Sequence, residues 1–227
     1  MADAFDGRAA VTRSMLGWGV VAGPFYLAFG VILALTRDGF DLSRHALSLL
    51  TLGPGGWLQV LNLALTGIMV IVAGWGLLRA LEGRGRGAGP AVIVAGASIV
   101  LAGVFRPDPV SGFPAGAEAT VSVSGLLHLG LGAVQFIAFA VAALLLARFF
   151  VSRQERGRAL WSRVAGVLVL VAFAAGAALS AGPAGVALLW IAVVTGFGWL
   201  LTASRWVYGV VPHPDLAKRE QPVTTGS

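Results

Sequence analysis

The sequence predicts an all-α protein: a bundle of six transmembrane helices with both termini in the cytoplasm. Three observations carry that prediction. Hydrophobic residues make up 57% of the chain and charged residues 11%, less than half of the roughly 25% usual in soluble domains. So few charges cannot cover a water-facing surface, so the solvent must be lipid. The apolar residues fall in six runs, each close to the length that crosses a hydrocarbon core of about 30 Å. The arginines fall between those runs and alternate in density from one connection to the next.

Residues 1–14 form a polar N-terminal tail with Asp3, Asp6, Arg8 and Arg13. Residues 15–36 carry no charge and form the first span. A secretory signal would have a shorter apolar core and a small-residue cleavage site after it; neither is present. Gly19 and Gly23 form a GxxxG pair, which permits close approach of another helix. Residues 37–56 make a polar connection holding Arg37, Asp38, Asp41, Arg44, His45 and Ser48, then Gly53-Pro54-Gly55-Gly56. A short interfacial helix over 41–50, capped by Asp41 or Ser43, is expected there.

Residues 57–78 form the second span, with Trp57 and Trp75 near its ends, where indoles favour the interface. Gln59, Asn62 and Thr66 follow at helical spacing and make one polar stripe, which in lipid should face other helices or a cavity. Residues 90–105 form a third span, short at about 24 Å, with proline in its first turn. The connection 106–120 is rich in proline and glycine and reads as a folded, irregular loop. Residues 121–147 form the fourth span. His128, Gly132 and Gln135 share one face of it, and His128 lies about 30 Å along the helix from Arg148. Residues 148–163 are read as an arginine-rich connection. Residues 164–181 and 183–204 form the last two spans around a Gly182-Pro183 turn. Residues 205–227 form a polar, proline-containing tail expected to be flexible. The domain organisation is therefore one membrane domain, 15–204, between two tails.

Orientation follows from charge. Of the sixteen basic residues, only Arg37, Arg44 and Arg106 fall on one side of the bundle; the other thirteen fall with the two tails. Basic residues stay with the cytoplasm. The protein is thus expected in the cytoplasmic membrane, with the connections 37–56 and 106–120 facing outward. A net charge of +6 could suggest nucleic acid as a partner, but these charges sit between spans, so no nucleic acid is expected. All basic residues but Lys218 are arginine, and with the alanine and glycine content this suggests a GC-rich bacterial source. The chain has no cysteine, which excludes disulfides, thiolate metal sites and a cysteine nucleophile.

The outward side gathers the residues able to carry chemistry. His45, Ser48, Gln59, Asn62, Arg106, Asp108 and His128 are candidate pocket residues. Asp41, Arg44 and Glu118 are candidate loop anchors or ion-pair partners. Four readings fit them. Ser48 with His45 or His128 and Asp108 supplies the residue types of a hydrolase relay, but no Gly-x-Ser-x-Gly elbow surrounds the serine. His45, His128 and a carboxylate at Asp41 or Asp108 could hold a metal, but no compact ligand motif assigns one, and no haem or other cofactor is named by the pattern. A binding or transport site could use Arg44 and Arg106 for a lipid phosphate or carboxylate; the spans hold no mid-membrane acid, which argues against an ion-coupled transporter. Finally, the same residues could only pin loops to helix ends, with Arg106–Asp108 and Arg44–Asp41 pairs and His128 on a loop carbonyl.

The motifs His45-Ala46-Leu47-Ser48 and Asp108-Pro109-Val110-Ser111-Gly112-Phe113-Pro114-Ala115-Gly116, followed by His128 early in the fourth span, resemble a family of prokaryotic membrane proteins known as domain of unknown function 998. The resemblance runs from the first span to the sixth. It implies a multi-span bundle and assigns no activity. The function expected from the residues is binding of a membrane lipid or small amphiphile, or a scaffold role beside another membrane protein or a second copy of the chain. A lipid-modifying enzyme and a transporter are the alternatives.

Overall fold

A computed structural model describes residues 5–180 and 182–215, without the side chain of Arg84. The readings placed on residues 1–4, on Ala181 at the end of the fifth span and on the tail beyond Asp215, with Lys218, lie outside the described residues. The described chain is all-helical. Six α-helices follow one another: α1 (Gly7–Leu35), α2 (Gly56–Ala80), α3 (Ala88–Val104), α4 (Val123–Ser152), α5 (Arg156–Ala178) and α6 (Pro183–Tyr208). Five are long and apolar enough to cross a membrane; α3, with 17 residues, is shorter. Each helix packs against its neighbours in sequence, and α6 returns to α1, so the six close into a ring in chain order.

Helices begin earlier or run longer than hydropathy alone indicates. Asp6 caps α1 by accepting from the amides of Arg8 and Ala9, both at 3.0 Å, so the helix takes in Arg8 and Arg13 from the segment read as a tail. Arg13 is stabilised there by donating to the Val211 carbonyl at 2.7 Å and by lying 3.9 Å from the centre of the Tyr208 ring. The arginine-rich segment 148–163 is also largely helical. Only Arg153, Gln154 and Glu155 separate α4 from α5. Glu155 accepts from both Arg153 and Arg158, and Arg158 lies over Phe150 and Trp206. Paired and stacked in this way, arginines extend the helices beyond their apolar stretch.

Glycine sets the closest crossing. A Cβ at Gly67 of α2 would lie 2.5 Å from Val100 Cγ2 and 2.7 Å from the Gly96 carbonyl oxygen of α3. Two turns on, Gly74 meets Gly89 and Ile93 in the same way. Gly23 of α1 faces Phe197 of α6, where an added Cβ would sit 2.6 Å from the Phe197 Cβ. The Gly19/Gly23 pair therefore does what its spacing predicts. Small residues are what hold helices together in lipid, where apolar burial supplies no net drive. The interior between the helices is filled by Trp199, Phe139, Phe150, Leu16 and Leu77.

The two described ends of the chain lie together. The Asp6 amide donates to the Pro214 carbonyl at 3.2 Å, beside the Arg13–Val211 bond. The connections 36–55 and 105–122 lie at the opposite end, where α1 and α3 finish and α2 and α4 begin.

Gly67→Leu forces a side chain into the α3 backbone. It should lower the unfolding free energy by about 1–3 kcal/mol, the usual cost of overpacking, read as an earlier midpoint in a denaturing-detergent titration. Gly130→Ala meets nothing within 4 Å and should shift the same midpoint by less than about 0.5 kcal/mol.

Candidate functional site

At the end away from the termini, α3 stops at Val104 and α4 starts at Val123. The connection between them begins with carbonyls that α3 itself leaves without partners. His128, in the second turn of α4, supplies one. Its Nδ1 lies 3.0 Å from the Ala102 oxygen and 2.8 Å from the Phe105 oxygen. Asp108 performs the reciprocal task for α4. Its carboxylate accepts from the Ser122 amide at 3.0 Å and the Ser122 hydroxyl at 2.6 Å. The Ser122 hydroxyl oxygen in turn accepts from the Gly125 amide at 3.0 Å, as a helix cap. A side chain at Gly125 would collide with the Asp108 carboxylate.

His45 holds the middle of the same connection. Residues 110–113 form a tight turn, with Ser111 at φ 56° and Gly112 at φ 80°, and the Phe113 amide donates to the Val110 carbonyl at 3.1 Å. His45 is 4% exposed. Its Nδ1 accepts from the Asp41 amide at 2.9 Å, so the proton is on Nε2, which donates to the Ser111 carbonyl at 3.2 Å. Phe40 and Phe113 pack around the ring, with centroids 5.2 and 5.4 Å from it. His45 thus ties the two connections together. The expected helix over 41–50 is a turn at 41–45 followed by a short 3₁₀ helix, Leu47–Thr51.

Arginine 37, which sequence reading did not single out, closes that segment from the other side. Its guanidinium donates to the carbonyls of Leu50 and Leu52. Gly55, at φ 75°, leaves it room: a Cβ there would lie 2.8 Å from Nη1. The polar stripe on α2 is wholly internal. Asn62 donates to the Tyr26 carbonyl of α1 at 3.2 Å and to Gln59 Oε1 at 3.1 Å, and Thr66 donates to Asn62 at 3.4 Å. The Nε2 of Gln59 is buried with no partner among the described residues.

Beneath the 3₁₀ segment is a cavity of about 170 Å³. All six helices line it: Tyr26, Leu63, Ala102, Phe136, Phe173 and Trp190 represent α1 to α6 in order, and Ala46, Leu47 and Ser48 roof it. The wall on α4 is the face His128, Gly132 and Gln135, the three residues whose helical spacing groups them in sequence. No residue of α4 before Phe136 is buried, so this wall is one helix thick. Trp190 turns its Nε1 to the Leu42 carbonyl at 3.1 Å and latches the roof to α6. Among the described residues, the side chains of Ser48 and Gln135 and the Nε2 of His128 have no hydrogen-bond partner.

The structure therefore divides the candidate residues. Ser48 and His128 reach the cavity. His45, Asp108 and Asp41 are fixed in the connections; Asn62 binds α1 and is the sole hydrogen-bond partner of the Gln59 side chain among the described residues; Arg44, Arg106 and Glu118 are exposed and outside the cavity lining. The Arg106–Asp108 and Arg44–Asp41 pairs do not form: Asp108 binds Ser122, and Asp41 binds Ser43 at 2.8 Å through the amide and 2.7 Å through the hydroxyl. A Ser48–His45–Asp108 relay is not assembled, because both His45 nitrogens and the Asp108 carboxylate are occupied elsewhere. No three His, Asp or Glu side chains gather as metal ligands among the described residues. Tyr26, Phe173 and Trp190 escaped sequence reading, since nothing marks them within apolar spans.

Residues 20–206 match the family described as "Protein of unknown function (DUF998)". The chain belongs to that family. The match runs from within α1 to near the end of α6 of this DUF998 member, so the His45 and Asp108 motifs and His128 all lie inside it. Comparison with curated proteins and with solved structures gives no match.

His45→Phe keeps the aromatic packing but strands the Asp41 amide and the Ser111 carbonyl. It should cost about 1–3 kcal/mol of stability, two hydrogen bonds at about 0.5–1.5 kcal/mol each, measured in the same detergent titration. The hydrogen bonds from Ser122 hold the Asp108 carboxyl below its ordinary range, and those from Ser43 do the same for Asp41. A depressed folded pKa means stability that is present above the unfolded value and lost as pH falls through the folded one. Thermal stability should therefore fall on acidification below the usual carboxylate range, and Asp108→Asn should lower it at pH 7 while flattening that fall.

Proposed function

We propose that this DUF998 member is a six-span protein of the cytoplasmic membrane, with both termini in the cytoplasm, and that its axial cavity binds a small amphiphile or one chain of a lipid entering from the outer leaflet. The placement of thirteen of sixteen basic residues supports the orientation, and the meeting of the two described chain ends fits an even number of crossings. α3 would cross as the shortest span, with the 106–120 connection folded down over its end.

One observation carries the binding reading: a cavity lined by all six helices, mostly apolar, whose wall includes polar side chains with atoms that lack a partner among the described residues. Ligand sites have this composition, apolar surface with a few convergent polar groups. In lipid, an unpaired polar group costs more than in water, so Ser48, His128 and Gln135 are best satisfied by something that enters. The volume is close to that of a roughly 150 Å³ apolar cavity that takes up a benzene-sized molecule. It accommodates a small amphiphile or part of one chain and excludes a whole two-chain phospholipid.

Gly132→Leu tests the reading. Nothing lies within 4 Å of a Cβ at Gly132, so the variant should fold and fill the cavity. Native mass spectrometry of protein purified from membranes should show a bound small molecule on the wild type that is lost from Gly132→Leu; equal occupancy of both overturns the reading. The absence of cysteine makes the orientation directly testable. A cysteine at Glu118 should react with a membrane-impermeant maleimide added outside cells, and one at Arg153 should not.

A further inference from the structure

The hydrogen bonding of His128 selects the chemistry of the occupant. Its Nδ1 faces two carbonyl oxygens, at 3.0 and 2.8 Å. Carbonyls only accept, so Nδ1 carries the proton. In a neutral imidazole the other nitrogen is then a bare acceptor. Nε2 has no partner among the described residues, and the ring forms part of the cavity wall. The α3 end thus fixes the tautomer, as an outer partner does for a ligating histidine.

The rest of the lining narrows the choice. It contains no Arg, Lys, Asp or Glu. The guanidinium of Arg37 is engaged by Leu50 and Leu52, and Arg44 and Arg106 lie outside the cavity. While the imidazole is neutral, a carboxylate or phosphate entering here would lose its water without gaining a cation, and an ammonium would find no carboxylate. An ether or ester oxygen would meet Nε2 lone pair against lone pair. A hydroxyl meets every requirement: its hydrogen goes to Nε2, and its oxygen accepts from Ser48 or Gln135.

Resting on the cavity being a ligand site, we infer that it selects an uncharged hydroxylated amphiphile, an alcohol or glycerol-type hydroxyl on a single apolar chain, by donation of that hydroxyl hydrogen to His128 Nε2. Fatty acids and head groups that only accept are discriminated against.

The test uses the wild-type protein in nanodiscs with isotope-labelled histidine, at a pH of about 8, above the ordinary imidazole range. Four probes of one chain length are compared: decan-1-ol, its methyl ether, decanoate and decane. Expected is a displaced His128 Nε2 resonance with the alcohol alone, His45 and His213 unmoved, and binding about tenfold tighter than the ether, as one hydrogen bond to a buried acceptor implies. Ether or decanoate binding as tightly as the alcohol overturns the head-group inference and leaves the cavity reading standing. Failure of all four probes, decane included, removes the cavity reading itself and the inference with it.

Discussion

Backbone carbonyls that end inside an apolar phase must find donors, and α3 ends early. With 17 residues against 25 and 30 in its neighbours α2 and α4, it stops about 26 Å from its start. A carbonyl left unpaired where water is excluded costs several kcal/mol. His128 supplies the donor to Ala102 and Phe105, and so locks α4 to α3. With that contact in place the chain must turn through residues 105–122 within a narrow space. Asp108 then caps α4, and His45 fastens the turn to the preceding connection. The pocket residue and the two fasteners belong to one solution of one backbone problem.

That problem explains why the cavity sits where it does. A longer α3 would keep its last carbonyls in its own ladder or in water, and His128 would be free to rotate. Because the helix is short, one nitrogen of the imidazole is consumed by structure and the other is left without a partner among the described residues. Under the proposed binding reading, structural and binding roles need not compete for His128, because each would use a different nitrogen of a single ring.

The helices were legible in the sequence because apolar runs of membrane length leave little choice. Their ends were less so. Hydropathy placed the first span at residue 15, whereas the Asp6 cap starts α1 at Gly7, and stacked arginines carry α4 and α5 past their apolar parts. The cavity face of α4 was readable because His128, Gly132 and Gln135 recur at helical spacing. The work of His45, Asp108 and Arg37 was not, since their partners are amides and carbonyls of Asp41, Ser111, Ser122, Leu50 and Leu52. Backbone groups are the same at every position, so composition carries no trace of which one a side chain meets. Charge pairing, the obvious guess for Asp108 and Asp41, lost to neighbouring serines that offer two donors each at short range.

Closure of the ring through α1 and α6 has a consequence for biogenesis. The ribosome makes the helices in chain order, the N-terminal one first. The face of α1 that receives α6, with Gly19, Gly23 and Tyr26, is made first and acquires its permanent neighbour last. During synthesis of four intervening helices that face is open to lipids, insertion chaperones or premature partners. Assembly of this bundle is therefore a wait of nearly the whole chain's length, ended only when Phe197 and Ser204 arrive to cover the glycines.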